Sequence, residues 1–132
     1  MYDEAEGEHR EFVRIRVEIP VRYKFVTKLE DNVTATERIF EGFTRNISAG
    51  GFLLVGRIPN TDYLAKLLTE QIVIGVNMNL PSYGVIKALV RVAWVEAFKE
   101  DSKTIRMGCM FKEVNRDAAD EIFKFVIRQQ MP

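Results

Sequence analysis

Two short stretches hold the residue types that could do chemistry. In "REFVR", Arg10 and Arg14 stand four residues apart. Each guanidinium offers a planar fork of donors that fits a phosphate or the Hoogsteen edge of a guanine. The same plane can stack on a purine face. Two arginines are equally what a solvated polar face looks like, because Arg14 falls in an alternating stretch. The second stretch, "NISAGG", sets Asn46 and Ser48 just ahead of Gly50 and Gly51. It reads as a tight turn between two strands, and also as a polar ledge where a small molecule touches backbone. Glycine admits both close approach and backbone dihedrals closed to larger residues.

The remainder gives a catalyst little to work with. The chain has one histidine, His9, and one cysteine, Cys109. His9 alone cannot hold a metal, and no cysteine or histidine spacing supports a metal site. Cys109, inside "RMGCMF", reads as a small buried thiol, and a lone cysteine excludes an intrachain disulfide. "SAGG" lacks the lysine and following hydroxyl residue of a phosphate-binding P-loop. The acidic pairs Glu30–Asp31 and Glu100–Asp101 fall in polar loops and read as solvated charge. The expectation is a binding module without catalytic residues, metal or resident cofactor.

Charge narrows the partner. Nineteen basic residues balance nineteen acidic ones, so no global field draws DNA, RNA or an anionic membrane. The charges are not evenly spread, however: acidic "DEAEGE" at 3–8 is followed by Arg10, Arg14, Arg16, Arg22 and Lys24. A basic cluster on a neutral chain suits a small anion. No apolar run approaches the ~20 residues of a membrane span. Nor does the N-terminus carry a basic region followed by an apolar one. A reducing cytoplasm is the expected setting.

The elements that must position these residues are mostly strands. From Val13 to Phe25 apolar residues take the odd positions and polar ones the even, a period of two. Pro20 interrupts the ladder as an edge or bulge. A polar hairpin loop at 29–36 leads to a strand at 37–46, and after the glycines a short strand covers Phe52–Val55. Asn60 or Thr61 caps a brief helix over "DYLAKLLTE". Strands follow at 71–80, 86–95 and about 107–111, with turns at "PSYG" and "KEDSKT". Asn115 then caps a closing helix whose Ala118, Ala119, Ile122, Phe123, Val126 and Ile127 form its apolar face, directed at the barrel or at a partner. At 132 residues this is one domain: all-β, a small six-stranded antiparallel barrel with a short inserted helix and a C-terminal amphipathic helix. Residues 1–9 read as a flexible acidic arm, and 10–132 as the barrel with its helix.

With "REFVR", "IPVRY" at 19–23 and "NISAGG" together, the chain resembles the PilZ domain family. That family is marked by RxxxR and a downstream (D/N)xSxxG; Arg10 and Arg14 match the first, and Asn46, Ser48 and Gly51 the second. The resemblance runs from about His9 to Gln129. It implies a small bacterial barrel that binds cyclic di-GMP and passes its presence to a protein partner, such as a motility, pilus or polysaccharide component. It further implies that Arg10 and Arg14 contact phosphate or guanine, that Asn46 and Ser48 meet a guanine edge, and that Gly50 and Gly51 let the backbone approach. Asn46 replaces the more usual aspartate, leaving one acceptor oxygen where a carboxylate has two. His9 stands where many members carry a further arginine. Trp94 could stack near the ligand, but it reads first as a core tryptophan. Two rival readings stay open: an interaction adaptor of the same fold that has lost the ligand, and a small barrel for single-stranded nucleic acid. The second needs a basic groove with exposed aromatics.

Overall fold

The computed structural model describes residues 14–29, 32–35, 38–97 and 103–131. The acidic arm, His9 and Arg10 lie outside the described residues. Among the described residues eight strands and two helices follow in order: β1 (Ile15–Arg16), β2 (Pro20–Leu29), β3 (Asn32–Ala35), β4 (Phe40–Ser48), β5 (Gly51–Arg57), α1 (Tyr63–Leu68), β6 (Ile72–Leu80), β7 (Gly84–Ala97), β8 (Thr104–Glu113) and α2 (Arg116–Gln130).

Six of the strands close on themselves. The ring runs β4–β5–β8–β7–β6–β2, and β2 pairs back onto β4, every neighbour antiparallel. Closure removes the sheet edges that an open sheet would expose. β1 adds a short rung outside β4, and β3 forms a hairpin on the far end of β2. The expected six-stranded antiparallel barrel with its two helices is the observed architecture.

Alternation works where the ladder is regular. Val21, Tyr23 and Phe25 point inward and are fully buried, while Arg22 and Lys24 stay outside. Inside, Tyr23 and Phe40 stack with ring centroids 5.6 Å apart, and Phe25 meets both edge-on. Tyr23 is a polar residue in this core because its hydroxyl donates to the carbonyl of Arg57 at 2.7 Å.

The alternating run expected from Val13 to Phe25 is not one strand. β1 stops at Arg16 and β2 starts at Pro20, which has no N–H to give and therefore opens a strand well. The three residues between are held by a single buried hydroxyl. Thr44 Oγ1 accepts from the Ile19 amide at 2.9 Å and donates to the Val17 carbonyl at 2.6 Å. Val17 N–H reaches the Arg45 carbonyl at 3.1 Å, and Thr44 N–H the Ile19 carbonyl at 3.0 Å. Ladder bonds lost to the break are thus recovered against β4.

Both helices form, but only the second has the cap expected: α1 starts from Asp62, not from Asn60 or Thr61, and Asp62 makes no side-chain capping bond. The Asn60 side chain accepts from the Asp62 amide ahead of α1, and Asn115 Oδ1 accepts from Ala118 N–H at 2.8 Å to start α2. The buried face of α2 differs from the one expected. Ala118, Ile122, Phe125 and Val126 are buried, whereas Ala119, Phe123 and Ile127 face out. Phe125 takes the inward position because its ring meets Tyr83 edge-on, 6.5 Å between centroids. This helix packs on β1 and β4.

Candidate functional site

The outside of the sheet formed by β4, β5, β8 and β7 carries two parallel rows of paired residues. One row runs Asn46, Leu53, Gly108, Trp94, and β1 extends it with Arg16. The other, two residues along on most strands, runs Ser48, Gly51, Met110, Arg91. With strands ~4.8 Å apart, Asn46 and Trp94 stand about 14 Å from each other across the sheet, and the rows are about 7 Å apart.

Two irregularities put these residues on that face. β4 and β5 change register between Thr44 and Asn46. Strict alternation would send Asn46 to the buried side with Thr44; the extra residue, Arg45, turns it outward. β7 and β8 change register between Val92 and Trp94 in the same way. Val90 and Val92 point into the barrel, and Ala93 is the extra residue that swings Trp94 out. A β-bulge re-aims side chains in this manner. Trp94 is therefore not the core tryptophan expected from the sequence: it is 40% exposed.

Between the rows lies a cavity of about 290 Å³. Arg14, Ser48, Gly50, Gly51, Leu53, Trp94, Gly108 and Met110 line it, together with Phe52, Ala93 and Cys109. Of the residues expected at a site, Arg14, Ser48, Gly50 and Gly51 are thus brought together. Asn46 does not line the cavity and stands half-buried at the end of its row. Arg10 lies outside the described residues.

Two positions lining the hollow have no room for a side chain. A methyl group at Gly51 would overlap the carbonyl oxygen of Cys109 on β8. One at Gly108 would overlap the Trp94 indole, which lies across that glycine. Close approach, not unusual backbone, is what requires glycine here: Gly84 is the glycine with positive φ among the described residues, at 89°. The expectation that Gly50 and Gly51 take dihedrals closed to other residues is corrected accordingly.

Ser48 shapes the turn as well as lining the cavity. Its hydroxyl accepts from Gly50 N–H at 3.2 Å and donates to the Gly51 carbonyl at 3.3 Å. The Gly50 carbonyl in turn accepts from Phe111 N–H at 3.0 Å, tying the turn to β8. A hydroxyl has one proton and two lone pairs, so one acceptor position of Ser48 is left for a ligand. The polar stretch is the turn that its glycines lead one to expect.

Other features were not read from the sequence. The Arg91 guanidinium donates to the Met110 sulfur at 3.0 Å, at the end of the Ser48 row. A thioether is a weak acceptor, so most donors of that fork remain for another group. Two glycines on one outer face, Gly51 and Gly108, were a legible signal only once the strand pairing was known. Cys109 is buried, and burial pushes its thiol well above the ordinary thiol range, which suits a wall atom and not a nucleophile. Among the described residues no cluster of His, Cys, Asp and Glu could hold a metal, and no helix is long and apolar enough to cross a membrane.

Comparison with known proteins agrees with this fold. The family model described as PilZ domain matches residues 8–128. No curated protein matches. Among solved structures, the chain is similar to the inhibitor of motility MotI/DgrA of Bacillus subtilis: TM-score 0.67, 18% identity, 92% of this chain and 51% of that one. It is similar to the K. pneumonia MrkH–c-di-GMP complex, with TM-score 0.61, 19% identity, 92% of this chain and 52% of that one. It also resembles the PilZ domain with c-di-GMP of YcgR from Escherichia coli, with TM-score 0.55, 14% identity, and 92% and 90% of the two chains. The chain spans about half the length of the first two of these.

Proposed function

The chain belongs to the PilZ domain family, and from that premise we propose that it is a receptor for cyclic di-GMP that relays the ligand's presence to a partner and carries no catalytic activity. The observation that carries this reading is the convergence of Arg14, Ser48, Gly50 and Gly51 on one hollow roofed by an exposed indole. Two of the solved structures it resembles are complexes with c-di-GMP.

The chemistry of the hollow fits a flat, dianionic ligand with two guanines. Arg14 supplies charge-assisted donors for phosphate or for guanine O6 and N7. Arg10, four residues earlier, adds a second guanidinium. Trp94 offers a π-face on which a purine can stack. Gly108, which has no side chain to push it away, lets the indole lie flat against the sheet. Asn46, at the far end of the Trp94 row, accepts from a guanine edge through one oxygen. The relayed signal acts on motility, pilus or polysaccharide machinery, in a bacterial cytoplasm.

Calorimetric titration of cyclic di-GMP tests the reading. One charge-assisted hydrogen bond is worth about 1.5–3 kcal/mol, so Arg10→Ala and Arg14→Ala should each lose about tenfold to a hundredfold in affinity. Arg22→Ala, on the outer face of β2 away from the hollow, is the control and should bind like the parent. Thermal melts check that all variants fold. A single-stranded oligonucleotide should not compete. Equal affinity in all four proteins, or no binding by the parent, would remove the functional reading and leave only the barrel.

A further inference from the structure

Beyond the stripe that α2 buries, a second apolar stripe at four-residue spacing is left exposed beside it: Ala119, Phe123 and Ile127. Phe123 is 55% and Ile127 37% exposed. Alongside it runs a line of exposed charges at helical spacing, Asp117, Asp120, Lys124 and Arg128, two acids followed by two bases. None of the four forms an ion pair with another described residue. The helix dipole favours acids at the N-terminus and bases at the C-terminus. It gives no reason for large apolar side chains beside them.

The pattern is complementary to itself turned end for end. We propose that α2 pairs antiparallel with α2 of a second copy of this chain, about a twofold axis at Phe123. Phe123 then meets Phe123 of the second copy, and Ile127 packs over the small Ala119. On the flank, Asp120 lies across from Lys124 and Asp117 from Arg128 of the second copy. These flanking pairs come within two residues of direct opposition, an offset of about 3 Å at 1.5 Å per residue. Long basic side chains span that offset. A parallel twofold pairing would instead carry the two charge lines to opposite sides of the pair, where they could not meet. One patch used by both copies is the form a twofold contact takes, and it closes at two.

Sedimentation equilibrium of the full chain over a range of concentrations tests this. A monomer–dimer equilibrium is expected, with no larger species. Phe123→Glu should weaken it by about thirtyfold or more, as loss of a central interface anchor does. Because Phe123 is exposed in the single copy, the variant should keep the parent's melting temperature at concentrations low enough that both are monomers. Asp120→Lys should weaken the dimer, and Asp120→Lys combined with Lys124→Asp should restore it to within a few fold. Phe123→Cys should cross-link to itself on oxidation while the parent, with Cys109 buried, does not. A chain that stays monomeric at every concentration overturns the proposal, as does a dimer indifferent to Phe123→Glu. A charge reversal that the second change does not rescue overturns the antiparallel register, and with it the proposal.

Discussion

Trp94 is the chain's sole tryptophan, and its indole both covers Gly108 and faces the hollow. Intrinsic fluorescence therefore reports on this one site. Saturating cyclic di-GMP should change the emission of the parent; an unchanged spectrum in a protein that binds by calorimetry would take the indole out of the site. Stacking on an aromatic is worth about 1–3 kcal/mol per base, so Trp94→Ala should cost about tenfold to a hundredfold in affinity and Trp94→Phe distinctly less. At the other end of the same row, Asn46→Asp returns a second acceptor oxygen and should hold or tighten affinity. If a folded Asn46→Asp protein lost binding, the guanine contact assigned to that residue would be wrong. Arg14, Ser48, Gly50 and Gly51 were legible because their types and spacing form motifs. Trp94 was not, because "VRVAWV" continues an alternation that assigns it to the interior, and one inserted residue reverses the assignment.

Most strands were legible for the converse reason: a period of two survives wherever the ladder is unbroken, as through Val21, Tyr23 and Phe25. Alternation cannot announce where a ladder gains a residue. Both bulges beside the hollow were therefore invisible until strands were paired. Pro20 did announce an interruption, and pairing showed it to be a three-residue break between β1 and β2. That break depends on Thr44, whose hydroxyl serves an amide and a carbonyl in a fully buried place. Thr44→Val keeps the shape and leaves both groups unsatisfied. It should destabilise the fold by about 1–3 kcal/mol, read as a lowered midpoint in chemical denaturation. Because the same bonds hold the segment that leads from Arg14, affinity for cyclic di-GMP should fall as well. A stable variant with full affinity would show that the segment is held by other means. α2 gives the matching lesson for helices: six apolar residues at helical spacing were read as one face, and they are two.

For the molecule as a whole, the closed barrel keeps two ionisable groups neutral. Burial pushes the Tyr23 phenol and the Cys109 thiol well above their ordinary values of 10.0 and 9.0. A raised value means that the folded state holds its proton when the unfolded state has lost it. Stability contributed this way is complete below about pH 9 and drains as pH rises further, by up to about 1.4 kcal/mol per pH unit for each group. Melting temperatures should decline from about pH 9 upward, and Tyr23→Phe should remove the Tyr23 share of that slope. An identical slope in Tyr23→Phe would place the alkaline loss elsewhere. The shortest strand in the fold has the widest reach. β1 is two residues long; it lies beside Asn46 through Arg16, begins just after Arg14, and touches α2 on its other side. Ligand occupancy and pairing of two copies would both act on those two residues, and reciprocity then fixes the exchange: whatever factor the dimer gains in affinity for ligand, the ligand returns to the dimer, site for site.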